Sequence, residues 1–513
     1  MRRKVSILSF MLFVASFAWG SAASVYIAQS SAGSNNGTSC ANAYAYTFFN
    51  SSSNWGSGST QIGPGSTVHL CGTFTAAAGA DSYLQFQESG TSGNPITLLW
   101  ESGAIVQSPY FSSAHGGIDL NGETYITLNG GINGIVQNTA NGTGRTYQQA
   151  SKLVDDVGSN TIIENLSMIN VYVHTNGDSN GGDSIGLYAR DPSNLHVGPN
   201  NTFTQADLGI NFIWDGGTSN LVIDGNHFAE CNQDIEAGTA NGSTTSFTNM
   251  TVSNNTATNW ANWDDAGNDY HHNFFHPFTN TPNSSLVGTL LIYNNRAIGD
   301  MGNHSTSMLF LENNNGSSGG TMGTWYIFNN VFSKTNANAP SSSGIIAPMS
   351  DNGYAVNNTI IDAGGTGSNA YPCFDSYGTG WTFKNNVDIG CGSYIQIQGT
   401  TATANNNDYY GAASPQWIWH SSYVSTLSAW QTASGQDASA ISTNPNLTSG
   451  YVPNAGSPVI GAGTNLTSLG ITALNVDAAG NARPSSGAWD MGAFSSGSVR
   501  TPGAPINLQA VPR

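Results

Sequence analysis

The chain has 513 residues, and its 12 Lys and Arg are opposed by 30 Asp and Glu, so its formal net charge is −18 at pH 7. An acidic chain of this kind repels nucleic acid and anionic membrane surfaces, so we expect neither as a partner. Charged residues are only 8% of the chain, but 38% hydrophobic and 10% aromatic residues argue against disorder and indicate one long domain with a buried core.

The N-terminus has the parts of a secretory leader. Basic residues at positions 2–4 precede an apolar run over 7–19, and small residues at 21–23 offer a cleavage site. We therefore expect residues 1–23 to be removed and the protein to be secreted, either extracellular, on the cell surface or in a periplasm. A retained membrane anchor is the alternative, although the run is short for a membrane span.

Short strands are predicted directly after the leader. Alternation of apolar and polar residues predicts strands at 25–28, 67–70, 96–99, 125–128 and 161–166. Residues 41–49 are expected to form a helix that caps the first coil.

The central part of the chain repeats one phrase, in which β-forming residues are followed by Asn-Asn or Gly-Asn. The last Asn of each phrase stands at positions 226, 255, 295, 330, 358 and 386, and a degenerate copy ends at Asn406. Successive spacings of 29, 40, 35, 28 and 28 residues are typical of a solenoid, and the Asn pair suits a tight left-handed corner. We predict an all-β fold, a single-stranded parallel β-helix over 24–406, followed by C-terminal coils and a closing tail over 407–495 and a linker over 496–513.

The five cysteines suit an oxidising compartment. Cys40 and Cys71 flank the start of the fold, and Cys373 and Cys391 are 18 residues apart, which is close to one compact coil. Both pairs are expected to form disulfides. Cys231 is then expected to be a small core residue rather than a reactive thiol.

An alignment of the strands that follow the Asn corners predicts one outward cluster of side chains that could act in catalysis or bind a cation. We align these strands on the inward residues Ile185, Ile210, Ile235, Phe275, Leu309 and Ile345. Residues at odd offsets should then face outward, which brings together Asp207, Asp234, Glu236, His272 and His276, with Asn211 beside them. His271 is in inward phase and is expected to be a hydrogen-bonded core residue.

Three carboxylates and two imidazoles on one face are what acid/base catalysis requires. Neighbouring carboxylates raise one another's pKa, so that one can donate a proton while another stays ionised. The same groups could instead hold a divalent cation such as calcium, and a polar outer face without function is the further alternative.

The longest spacing, of 40 residues, places extra residues just before His272. This insertion contains Trp260, Trp263, Asp264, Asp265, Asp269 and Tyr270. Aromatic faces stack on sugar rings and carboxylates bind sugar hydroxyls, so we predict a substrate-binding wall here. The alternative is a loop whose indoles only cover the flank of the solenoid.

The end of the chain carries a resemblance. The stretch from Ser457 to Ile460 and the stretch from Trp489 to Phe494 are similar to the C-terminal closing segment of secreted bacterial right-handed parallel β-helix proteins of the pectate-lyase-like superfamily. Residues 62–68 resemble the first coil of the same proteins, and residues from Thr501 on resemble a linker into a fibronectin type III module. The resemblance implies a right-handed β-helix and leaves the function open, because the superfamily includes lyases, hydrolases, epimerases and binding proteins.

Two classes of function are compatible with the sequence. The first is a monomeric secreted enzyme that cleaves a polysaccharide, either as a glycoside hydrolase or, with a bound cation, as a lyase. The scarcity of basic residues favours a neutral or weakly charged glycan, and therefore hydrolysis. The second class is a non-catalytic surface or matrix protein that binds glycans, and we favour the enzyme.

Overall fold

The structure is a computed structural model that describes residues 23–497, except 179–181, 241–243, 265–270, 280, 304–305, 314–319, 337–343, 363–371 and 413. The predicted leader, up to residue 22, and the predicted linker from residue 498 lie outside the described residues. No helix within the described part is long and apolar enough to cross a membrane.

Each coil of the chain contributes strands to three faces, named A, B and C in the order in which the chain passes them. The strands of one coil pair with those of the next, in parallel. This is a parallel β-helix, and the predicted all-β fold class is confirmed.

Faces A and B meet at the Asn corner. The strands of face A are Ser24–Ala28, Thr67–Cys71, Ile96–Trp100, Leu195–Val197, Thr218–Asp224, Ser246–Ser253, Ser285–Tyr293, Trp325–Phe328, Gly353–Val356, Trp381–Lys384 and Ala402–Asn405, with the short strands Tyr44–Ala45 and Thr321–Met322 beside them. The strands of face B are Thr73–Thr75, Ile105–Ser108, Thr202–Thr204, His227–Ala229, Thr256–Thr258, Arg296–Gly299, Val331–Lys334, Thr359–Asp362, Val387–Ile389 and Asp408–Tyr410. Two long strands, Ile126–Asn138 and Ile162–Ile169, run from face A into face B.

Face C is a separate sheet of 13 strands. Its strands are Leu84–Gln85, Ile118–Asp119, Lys152–Asp155, Ile185–Arg190, Leu208–Trp214, Gln233–Thr239, Asn273–Thr279, Leu309–Asn313, Ile346–Pro348, Phe374–Ser376, Ile395–Ile397, Trp417–Trp419 and Ser422–Val424. The last of them is antiparallel to its neighbour. The predicted site residues lie on or beside this face.

Helical structure is scarce in the described part of the chain. It consists of one α-helix, Leu427–Ser434, and the 3-10 turns Cys40–Asn42, Tyr46–Phe48, Ser52–Asn54, Ala261–Trp263, Thr467–Leu469 and Thr472–Asn475. The predicted capping helix over 41–49 is therefore wrong. Its middle forms the strand Tyr44–Ala45 against Ser24–Ala28, because aromatic side chains disfavour helix and the Cys40–Cys71 disulfide holds the segment against face A.

The two residues of each Asn corner have different tasks. The first is left-handed, with φ between +53° and +57° at Asn254, Asn294, Asn329, Asn357, Asn385 and Asn406. The second is buried and belongs to a ladder of Asn201, Asn226, Asn255, Asn295, Asn330, Asn358, Asn386 and Asn407. Each Nδ2 in this ladder donates to the Oδ1 of the next Asn at 2.9–3.1 Å, so side chains replace the backbone bonds lost at the corner. The degenerate last copy ends at Asn407, not at Asn406 as predicted.

The closing tail covers the corners of the later coils. The left-handed residues Asn329, Asn357, Asn385 and Asn406 donate to tail carbonyl oxygens of Val476, Asp490, Thr464 and Ala462 at 2.8–2.9 Å. The buried Asn of each corner therefore links neighbouring coils, and the left-handed Asn binds the closing tail.

Both predicted disulfides are present, Cys40–Cys71 and Cys373–Cys391. Cys231 is buried in the apolar core, as predicted, and burial raises the pKa of its thiol.

Candidate active site

The pairing of strands on face C corrects two positions of the predicted alignment. Ile185 pairs with Leu208, so that Leu187, not Ile185, is the neighbour of Ile210. Further along, Leu309 pairs with Ile346 rather than Ile345. Backbone pairing sets the register of neighbouring strands. The sequence alone does not reveal this register where several apolar residues could each be the inward one.

An open cleft of about 600 Å³ lies on the outer side of face C. It is lined by Ser113, Lys152, Asp183, Ile185, Tyr188, Asp207, Leu208, Asn211, Ile213, Asn232, Gln233, Glu236 and His271. The structure therefore brings together three residues of the predicted cluster, namely Asp207, Asn211 and Glu236.

Asp207 lies just before the strand Leu208–Trp214, at the wall of the cleft. Its Oδ1 accepts a hydrogen bond from Nδ2 of Asn232 at 2.8 Å, and its Oδ2 accepts one from the backbone N–H of Asp183 at 3.2 Å. Burial raises the pKa of Asp207 to about 7, and the nearby charge of Glu236 adds to the rise. The carboxyl group can therefore hold or release a proton near neutral pH.

Glu236 lies in the middle of the strand Gln233–Thr239 and points into the cleft. Nδ2 of Asn211, its partner on the preceding strand, donates to Oε1 at 2.8 Å. Burial raises the pKa of Glu236, while the charge of His276 and the hydrogen bond from Asn211 oppose this rise. Asn211 thus acts on the carboxylate directly, and both groups face the cleft.

His276 is the neighbour of Glu236 on the next strand. Its Nδ1 lies 3.1 Å from Oε1 of Gln233, and its Nε2 lies 2.9 Å from Oε2 of Glu312. Both ring nitrogens therefore face side-chain oxygens of neighbouring strands.

Asp234 is not part of this outward set, although the alignment predicted it there. The residue is fully buried, and its Oδ2 accepts a hydrogen bond from Nε1 of Trp260 at 3.0 Å. Asp234 stands two residues before Glu236. The counterpart of Asp234 on the preceding strand is Gly209. A side chain at Gly209 would meet the backbone oxygen of Asp234 and the ring of Phe228, which places this row on the packed side of the strands. Burial raises the pKa of Asp234 well above its ordinary value.

The two adjacent histidines have the opposite placement to the one predicted. His272 has φ of +50° and is buried, with Nδ1 2.8 Å from Oδ1 of Asn232 and Nε2 3.1 Å from Oδ1 of Asp264. His271 instead lines the cleft. The left-handed residue interrupts the two-residue alternation just before the strand Asn273–Thr279 begins, and this reverses the phase.

The predicted aromatic wall is wrong for its two tryptophans. Trp260 and Trp263 are fully buried, and Nε1 of Trp263 donates to the backbone oxygen of Glu230 at 2.9 Å. Asp264 is also buried and accepts hydrogen bonds from Asn303. These side chains fix the insertion to the solenoid and present no face to a sugar. Asp265, Asp269 and Tyr270 lie outside the described residues.

Several cleft residues were missed by the sequence alignment. Lys152 lines the cleft with its Nζ 3.1 Å from Oδ2 of Asp155 and 4.1 Å from the ring centre of Tyr188. Asp183 and Gln233 also line the cleft. Asp183 lies in the turn just before the strand Ile185–Arg190, and Gln233 stands three residues before Glu236. Tyr188 pairs with Asn211, and Asn211 pairs with Glu236. An alignment on Leu187 instead of Ile185 would therefore have placed Tyr188 among the outward residues.

The five predicted catalytic side chains do not form a metal-binding geometry. In the described part of the chain, the group of three His, Cys, Asp or Glu residues whose ligand atoms all lie within 4.8 Å of one another is His115, Asp119 and Asp156. Asp119 already accepts hydrogen bonds from Ser82 and Gln85 at 2.6 and 2.8 Å.

No protein-family model and no curated protein matches this sequence. Among solved structures, the chain is similar to the pectate lyase Pel9A, at 18% identity and a TM-score of 0.42, over 92% of this chain and 96% of the other. It is also similar to XylC in complex with xylose, at 9% identity and a TM-score of 0.35, over 92% of this chain and 98% of the other. Both TM-scores are below 0.5, so neither similarity bears on the chemistry of the cleft.

Proposed function

We propose that this chain is a secreted enzyme that cleaves a polysaccharide, and more narrowly a glycoside hydrolase acting in the cleft of face C. The observation that carries the proposal is the pair Asp207 and Glu236, two carboxyl groups with raised pKa values that line one cleft, where the charge of Glu236 adds to the rise at Asp207. Hydrolysis of a glycosidic bond uses two such groups, one as proton donor and one as base or nucleophile.

The surroundings assign different roles to the two groups. Asp207, with a pKa of about 7, keeps its proton in weakly acidic solution and is the general acid. Glu236 is adjacent to His276 and accepts a hydrogen bond from Asn211, and both effects favour its ionised form. It is therefore the base or nucleophile.

The charges in the cleft favour a neutral glycan. Asp183, Asp207 and Glu236 are acidic, and the ammonium group of Lys152 is already bound to Asp155. A uronate chain would bring further negative charge to these carboxylates. The two disulfides and the leader-like N-terminus support secretion.

The test is product formation from a panel of soluble polysaccharides, both neutral and acidic, with and without a chelator. We expect reducing ends from a neutral polysaccharide, insensitive to the chelator. Glu236→Gln and Asp207→Asn should each lower kcat by roughly 10²-fold to 10⁴-fold while the protein stays folded. Glu164→Gln, which changes a glutamate on face A, is the matched control and should retain activity.

Two outcomes would contradict the hydrolase. Unsaturated products that disappear with the chelator would show a cation-dependent lyase. Binding of a polysaccharide without any product would show a glycan-binding surface protein.

A further inference from the structure

The last coils of face C present exposed aromatic side chains far from the cleft. Among the described residues, the exposed large apolar side chains are Ile132, Ile162, Tyr377, Tyr423 and Ile460. The two aromatic ones, Tyr377 at 40% exposure and Tyr423 at 68%, both lie at this end of face C. Two exposed aromatic side chains at the same end of one face suggest a binding function.

Strand pairing places polar groups around the two rings. Asp375 pairs with Gln396, Gln396 pairs with Ile418, and Ile418 stands opposite Tyr423 on the antiparallel final strand. Residues paired in this way carry their side chains on the same side of a sheet. Tyr377 follows Asp375 by two residues and so points to that side as well, and the side chain of Gln398 opposes the rise that burial causes in the pKa of both Asp375 and Tyr377.

Asp375 has unused hydrogen-bonding capacity. The residue is only 2% exposed, and its Oδ1 has no hydrogen-bond partner among the described residues. Burial raises its pKa to about 7, so the carboxyl group can accept a hydrogen bond from a hydroxyl group or, when protonated, donate one. A buried polar atom without a partner is costly, and a bound ligand that supplies one would remove that cost.

The patch continues the row of outward side chains that crosses the cleft. Glu236 pairs with His276, and the same row continues through Phe310 and Ala347 to Asp375. Four steps between neighbouring strands separate Glu236 from Asp375, which is roughly 19 Å at the usual strand spacing. A polymer lying along the axis of the solenoid would reach both ends of this row.

We propose that Asp375, Tyr377, Gln396, Gln398 and Tyr423 form a remote subsite for an uncharged polysaccharide chain that extends from the cleft along face C. The two tyrosine rings stack on sugar rings, and the amide and carboxyl groups bind sugar hydroxyls. This subsite rests on the proposed polysaccharide substrate, but it does not depend on which bond is cleaved or on whether cleavage occurs.

The test compares binding of intact polymers by affinity electrophoresis in gels that contain soluble arabinoxylan, glucomannan or polygalacturonate. All variants carry Glu236→Gln, so that cleavage does not consume the probe. Tyr377→Ala together with Tyr423→Ala should raise the dissociation constant for a neutral polymer roughly tenfold. Ile132→Ala together with Ile460→Ala removes exposed apolar side chains elsewhere and should leave this constant unchanged. Circular dichroism melting curves establish that each variant is folded.

The outcomes separate this subsite from the proposed hydrolysis. Cleavage of a neutral polysaccharide by the native protein, with equal affinity in the tyrosine variant and its parent, overturns the subsite alone. Binding that depends on the tyrosines, without cleavage of any glycan, supports the subsite and overturns the hydrolase. Stronger binding to polygalacturonate, absence of binding to any of the three probes, or a dimer that the tyrosine substitutions dissociate would each overturn the subsite.

Discussion

The Nε2 atom of His276 lies 2.9 Å from Oε2 of Glu312, one coil further along face C. This hydrogen bond is the main reason that the pKa of Glu312 lies below its ordinary value. His276 also opposes the effect of burial on Glu236, one coil in the other direction. The three side chains therefore form a line of carboxyl group, imidazole and carboxyl group across three coils, with the candidate catalytic Glu236 at one end.

Replacing His276 with Ala should move the acid limb of the pH profile to higher pH. Without the imidazole, burial acts unopposed by that positive charge and the pKa of Glu236 rises. A base that must be ionised loses activity as the pH falls through its pKa, so kcat/KM should begin to fall at a pH higher by on the order of one unit. The measurement is kcat/KM against pH on a cleaved polysaccharide. His227→Ala on face B is the control, and an acid limb that stays in place in His276→Ala would contradict the assigned role of Glu236.

Replacing Asp408 with Asn should make the free energy of unfolding fall less as the pH rises from weakly acidic to neutral. Burial raises the pKa of Asp408 to about 7 from 3.8. Between about pH 4 and pH 7 the unfolded chain ionises this group while the folded protein keeps it protonated, so the free energy of unfolding falls as the pH rises through this window. Above about pH 7 this contribution stops changing.

The check for Asp408 is the thermal midpoint measured from pH 4 to pH 8. The midpoint of Asp408→Asn should fall less over this range than that of the native protein. Asp351→Asn, at an exposed position, should follow the native curve. An identical pH dependence in Asp408→Asn and the native protein would refute the prediction.

Replacing Asn330 with Ala should destabilise the whole solenoid. Its Oδ1 accepts from the backbone N–H and side chain of Asn295, and its Nδ2 donates to the carbonyl of Ile292 and to Asn358. The substitution leaves these buried groups without partners, at a cost of about 3 kcal/mol. Chemical denaturation measures the free energy of unfolding.

The matched control for the ladder is Asn254→Gly at an exposed corner position with φ of +56°. Glycine adopts this conformation readily, so the change should stay below about 1 kcal/mol. Equal losses in the two variants would show that the corner conformation, rather than the buried ladder, stabilises the coil.

Replacing Trp260 with Phe should lower stability without weakening substrate binding. The substitution removes the hydrogen bond from Nε1 to Asp234, which is fully buried, and should cost about 2 kcal/mol. KM for a cleaved polysaccharide and the unfolding midpoint are measured together. A rise in KM at unchanged stability would restore the predicted role of Trp260 in binding sugar.

The repeat predicted the architecture because the corner leaves a local signature. A left-handed residue followed by a buried amide requires Asn or Gly at fixed places, and these residues are visible without any knowledge of pairing. The same signature located Asp207, Asn211, Glu236 and His276 near one another. The last corner was misplaced by one residue because three consecutive Asn, 405–407, satisfy the pattern equally well.

The finer features of the site depend on register and on long-range contacts. Ile185 and Leu187 are equally plausible as the inward residue, and only the pairing with Leu208 and Ile210 distinguishes them. His271 and His272 exchange places because His272 is left-handed, and its ring is hydrogen-bonded to Asn232, which is 40 residues away, and to Asp264. Glu312 was not predicted because it is 36 residues away from His276 and belongs to no repeated phrase.

The amide ladder at the corner has a direction and an end. Every Nδ2 donates one hydrogen bond to a side chain of the following coil, and the final one, on Asn407, donates to Oδ1 of Asp437, which also accepts from Tyr409 and Trp430 through Oδ2. A carboxyl group carries no amide N–H, so the row of aligned amides ends at this residue. The ladder thus has a defined C-terminal end, and a longer solenoid that kept this end would gain its extra coils between existing Asn corners, with Asp437 still closing the row.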